Sequence, residues 1–217
     1  MRPTFFLKAC VAALLALGLT RPAPAQEAGR AAQGEAVKGP VVGVRPWEEV
    51  ARWGQEMVER GRLDLSRDVE LQAAAELNED GTFKPESVSL SPVQDPVLQE
   101  LAQRLVTALS QSRALRVVND AEAVHMSLKL DGQVLRFHIA ADLPSKERAA
   151  RLAEAYGLML QAVRQANRGT DVGLLYEGVR MAADGRRFNF ISEVPREVGG
   201  RMINEMLARR KAATPRQ

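Results

Sequence analysis

The feature that most constrains this chain is an Asp-Gly dipeptide set between alternating apolar segments, which occurs at Asp80-Gly81, Asp131-Gly132 and Asp184-Gly185. Asp-Gly favours the two-residue hairpin because both residues tolerate positive φ. Alternation on either side of such a turn gives two antiparallel strands with one apolar face. The dipeptides lie 51 and 53 residues apart, and a proline precedes or opens the helical pattern after each one. The chain therefore reads as three hairpin-helix units.

In the first unit Val69, Leu71, Ala73, Ala75 and Leu77 alternate before the turn, and Val88 and Leu90 after it. Asp95 is placed to cap a helix that has Pro96 at its first position and a stripe of Leu98, Leu101, Leu105, Ala108 and Leu109. The second unit has Val124 to Leu130, then Leu135, Phe137 and Ile139. Its helix follows Pro144-Ser145 and carries Ala149, Leu152, Tyr156, Met159 and Val163. The third has strand residues near Leu175 to Met181, then Phe188 and Phe190. A last helix is expected after Pro195, with Met202, Ile203, Met206 and Leu207. Ahead of all three, a helix from Pro46 puts Trp47, Val50, Gly54, Met57 and Val58 on one face and stops at Gly61. The fold expected is α+β, a mainly antiparallel sheet covered on one face by helices. One six-stranded sheet and two smaller domains dividing near Asn119-Asp120 both fit this pattern.

The N-terminus reads as an export signal. Arg2 opens a short positive region, Ala9 to Leu19 is almost unbroken apolar, and Ala23-Pro24-Ala25 fits a small-x-small cleavage site before Gln26. Eleven apolar residues rise about 16 Å as a helix, half of the roughly 30 Å that a bilayer core requires. Cleavage after Ala25 and release into the periplasm are expected. A retained anchor would have to bury Lys8. No later stretch is apolar enough to span a membrane. Residues 26–44, rich in Ala, Gly and Gln, read as a flexible linker. Cys10 is the only cysteine, so the mature chain is expected to have no disulfide and no thiol chemistry.

The net charge of +3 and pI near 9.3 suggest a polyanion partner only until the charges are located. Arg2, Lys8 and Arg21 carry the whole surplus and leave 27 basic against 27 acidic residues. Arg209-Arg210-Lys211 with Arg216 suits a basic helix end facing its own dipole. Nucleic acid is not an expected partner.

Candidate chemistry is sparse. A two-residue turn at Asp131-Gly132 would set Leu130 opposite Gln133, Leu128 opposite Leu135 and Met126 opposite Phe137. On the other face His125 would meet His138, and Ser127 would meet Arg136. Opposed imidazoles invite a divalent metal, but no Asp, Glu or Cys is expected on that face as a third ligand. Glu76, Asn78, Asp80 and Gly81 match the first positions of a calcium loop. Ser87 stands where the bidentate Glu belongs and Glu86 comes one place early, so a plain hairpin turn is expected. Arg186-Arg187 reads as a solvated strand start, and Trp47 and Trp53 as core and helix-edge residues. No nucleophile elbow, zinc-protease helix or phosphate-binding glycine loop occurs. No catalytic, cofactor-binding or metal-binding residue is assigned, and no cofactor is expected.

The stretch from Val50 to Leu130 resembles the C-terminal domain of TonB-type proteins. The likeness rests on a leading helix through Ala51-Arg52 and Gly61, the strand Val69 to Leu77, Asp80-Gly81, and the strand Val88-Ser89-Leu90-Ser91. Asp95, the helix Leu98 to Leu109 and the closing strand Val124 to Leu130 complete it. Arg113-Ala114-Leu115-Arg116 replaces the usual aromatic motif after the helix, and no long proline-rich spacer is present. The resemblance implies a helix-hairpin-helix unit over 45–118, and the repeated pattern puts two further hairpin-helix units over 119–211. It also implies an envelope location and binding by strand addition to a sheet edge. The function expected is a non-catalytic exported protein that binds another periplasmic or outer-membrane protein. A periplasmic hydrolase or ligand-binding enzyme, with an acid-based site that sequence does not reveal, is the alternative.

Overall fold

The computed structural model describes residues 43, 45–64 and 67–195. The expected leader, the linker apart from Gly43, and the last helix after Pro195 lie outside the described residues. The elements in chain order are α1 (Arg45–Glu59), β1 (Val69–Ala75), β2 (Ser89–Leu90), α2 (Pro96–Ser112), β3 (Ala123–Leu130), β4 (Val134–Asp142), α3 (Lys146–Ala166), α4 (Asp171–Glu177), β5 (Val179–Asp184) and β6 (Arg187–Pro195). Three-ten turns occupy Pro85–Ser87 and Ala114–Val118.

Local chemistry sets the helix ends. α1 closes on Gly61 at φ +66°, where Gly61 N–H bonds to Val58 and Arg62 N–H to Met57, the paired pattern of a left-handed cap. Asp95 accepts the N–H groups of Val97 and Leu98 ahead of α2, which has Pro96 in its first turn. Ser145 accepts the N–H of Arg148 to open α3.

The strands form one six-stranded antiparallel sheet in the order β2-β1-β3-β4-β6-β5. The fold is α+β. Alternation gives the sheet one buried face, where Leu71, Leu128, Phe137, Ile139, Phe190 and Val179 come together. α1 packs on α2, and α3 packs over β5 and β6. Tyr156 of α3 and Phe188 of β6 meet at 6.3 Å between ring centroids. Arg148 ties the start of α3 to Asp120 at 2.9 Å and to the Val117 carbonyl at 3.2 Å.

Three expectations change. Leu130 pairs with Leu135, Leu128 with Phe137, and Met126 with Ile139, two residues out of the expected register. The cause is Asp131, whose carboxylate accepts the N–H groups of both Gln133 and Val134 and widens the turn. Gly132 therefore avoids the positive φ that a two-residue turn demands. Because the shift is even, every side chain keeps its face. Leu175 to Glu177, expected as strand, belongs to the helix α4, which Thr170 caps through the N–H of Gly173. In the third hairpin Asp184 pairs with Arg187, so the turn residues are Gly185-Arg186.

Candidate functional site

The face of the sheet away from the helices is polar and carries every residue of the expected histidine pair. His125 stands opposite Ala140 and His138 opposite Ser127, so the two imidazoles are diagonal rather than opposed. Acids do share this face, contrary to expectation: β4 runs on to Asp142, and β6 brings Glu193. His125 Nε2 lies 3.2 Å from Asp142 Oδ2, and His138 Nε2 lies 2.9 Å from Asn189 Oδ1. Among the described residues no group of three or more His, Cys, Asp or Glu side chains is placed to hold a metal.

Charge on this face is paired across strands. Arg187 donates to both oxygens of Asp142, at 2.7 and 3.1 Å. Arg136 donates to Glu193 at 2.7 Å, and Arg180 donates to the other oxygen of that carboxylate. The bond from Arg187 holds the Asp142 carboxyl below the usual carboxylate range, and the bond from Arg136 does the same for Glu193. The hydroxyl of Thr82 lowers Asp80, and the backbone N–H groups of Gln133 and Val134 lower Asp131. All four carboxyls are thus stabilised as anions, a state suited to ion pairing and not to proton donation at neutral pH.

The residues of the calcium-like pattern hold a turn. Asp80 accepts from Thr82 N and Oγ1, Asn78 donates to Thr82 Oγ1, and Glu76 pairs with Lys84 at 2.8 Å. Arg186 pairs with Glu122 at 3.1 Å rather than with its neighbour's acid. Trp47 is 1% exposed, and Trp53 carries the Arg104 guanidinium 4.8 Å above its ring.

Two concave surfaces lie on either side of β2. Leu90 pairs with Ala73 on the helix-covered face and Ser89 with Ala74 on the open face. Beneath α2 a narrow apolar slot of about 30 Å³ is lined by Leu90, Ala73, Leu105, Ala102, Val106 and Trp47. On the open face a shallow hollow of about 430 Å³ is lined by Ser89, Ser91, Gln72, Ala74, Ser127 and His125. Ser91 N–H bonds to the Gln72 carbonyl, so by antiparallel alternation Leu90 turns its N–H and C=O outward between slot and hollow. Sequence reasoning located Leu90 and Ser89 on a strand but had no means of finding these hollows, because residues from β1, β3 and α2 build them. No helix among the described residues is long and apolar enough to cross a membrane. No protein-family model, curated protein or solved structure matches this chain.

Proposed function

We propose that this chain is an exported, non-catalytic envelope protein whose 45–118 unit, TonB C-terminal-like, binds another periplasmic or outer-membrane protein by accepting an extended segment beside β2. The observation that carries this reading is the pair of hollows flanking a sheet edge. An added strand gains main-chain bonds from Leu90 and sends alternate side chains to opposite sides. One side chain would turn to the helix-covered face beside Leu90, and the next to the open face beside Ser89. The segment that fits has an aliphatic residue next to a small polar one.

Leu90→Pro removes the outward N–H and no bond of the β1–β2 ladder. In a pull-down from envelope extract the full chain should retain a partner that Leu90→Pro loses while remaining folded by circular dichroism. Equal capture by a folded Leu90→Pro would refute the reading.

A further inference from the structure

The opposite edge of the sheet carries a separate surface. β5 is the last strand, and among the described residues no strand pairs with its outer side. Gly178 accepts the N–H of Glu193 at 2.9 Å, so the even-numbered residues of this strand bond inward to β6. Val179 turns its carbonyl the other way, to the Arg164 guanidinium. By the same alternation Met181 and Ala183 present N–H and C=O outward. Arg180, Ala182, Ala183 and Asp184 are all exposed.

We propose that β5 pairs antiparallel with β5 of a second copy about a two-fold axis at Ala182, joining two sheets into one of twelve strands. This register is the one that the strand's own residues complement. Ala182 meets Ala182, outward-facing Met181 meets Ala183, and Arg180 stands opposite Asp184 of the second copy on the open face. Each two-fold junction contains that ion pair twice. Glu193, which now takes bonds from both Arg180 and Arg136, keeps Arg136 at 2.7 Å when Arg180 turns to the new acid.

The helix above the edge agrees. Arg164 marks the flank of α3 that overhangs the outer side of β5, because it bonds the Tyr176 and Val179 carbonyls. Seven and fourteen residues earlier, on that same flank, stand Gly157 and Ala150, with Ala153 between them. A Cβ at Gly157 would meet nothing within 4 Å. Gln161 and Glu154 border this flank, so two copies of α3 would face each other across a seam that is narrowest at Gly157. A second copy is the occupant because both the charges and the small-residue flank repeat in the order that a two-fold axis needs.

Sedimentation of the full chain tests this. The chain should sediment as a dimer, and Ala183→Pro, which removes an outward N–H, should sediment as a single copy. Arg180→Asp or Asp184→Arg alone should weaken the dimer about tenfold, and the two together should restore it, because the swap re-forms both cross-strand pairs. Ala182→Cys should oxidise to a covalent dimer, since a non-hydrogen-bonded antiparallel pair sets its Cα atoms about 4.5 Å apart, within disulfide reach. The unsubstituted chain, with Cys10, gives the background. A wild-type chain that stays single at all concentrations overturns the proposal. So does a folded Ala183→Pro that dimerises like wild type, or an Ala182→Cys that oxidises no faster than the background.

Discussion

Phe137 stands directly opposite Leu128 on the helix-covered face of the central strand pair, and both are less than a tenth exposed. Phe137→Ala should lower stability by about 3–5 kcal/mol, since the cavity left by a buried ring is poorly refilled. His138, the next residue, lies on the open face and bonds Asn189. His138→Ala should lower stability by about 1 kcal/mol, the net value of one partly exposed hydrogen bond. Urea melts of the two variants separate these outcomes. A larger loss for His138→Ala would reverse the faces of β4.

Ser192 also lies on the covered face, opposite Phe137 and Val179, and its hydroxyl is buried with no hydrogen-bond partner. The hydroxyl has given up water for nothing. Ser192→Ala should therefore raise stability by about 1 kcal/mol, seen as a higher urea midpoint at unchanged slope. A loss of stability would mean that Oγ has a partner in solution.

Asp142 and Glu193 link the open face to acid stability. Arg187 and Arg136 lower their folded carboxyl pKa values below the unfolded ones. Their stabilisation is therefore complete above the unfolded values, about pH 4 to 4.5, and disappears as pH falls through the folded values. Asp142→Asn should lower stability across neutral and alkaline pH and flatten the acid limb of a stability-against-pH curve, with the slope above pH 8 unchanged. An identical acid limb in that variant would contradict the pairing with Arg187.

Gly81 tests why the first turn needs glycine. Its φ is +82°, and a Cβ there would come within 2.5 Å of the Arg116 backbone nitrogen in the turn after α2. Gly81→Ala combines backbone strain with a clash against main chain, so it should destabilise by more than about 1 kcal/mol. Gly157→Ala, on the helix flank with open space, should raise stability by several tenths of a kcal/mol or more through helix propensity in the separated chain. Thermal melts at low concentration compare them.

These sites also show what sequence could and could not reveal. Alternation alone put Phe137 on the covered face and His138 on the open one, because a period of two survives any even shift of register. The register itself depended on how Asp131 used its carboxylate, a side-chain choice that the Asp-Gly pair does not specify. Leu175 to Glu177 reads as strand because a two-turn helix is too short for its periodicity to stand out from alternation, although the Thr170 cap is present. The acids beside His125 escaped notice for a simpler reason. Asp142 lies on β4 three residues beyond Ile139, where the expected alternation ends, and Glu193 comes from β6, whose pairing with β4 is not written in local pattern.

Amide hydrogen exchange reads the proposed joining of a partner strand beside β2 at the bond concerned. In the chain alone, the Leu90 N–H points outward and should exchange within the dead time of the measurement. When the captured partner is added, that amide should become protected together with the edge around Ser89 and Ser91, while Asn189 and Glu193 on β6, at the far side of the sheet, stay as they were. Unchanged exchange at Leu90 in the bound state, with new protection confined to other surfaces, would contradict the account.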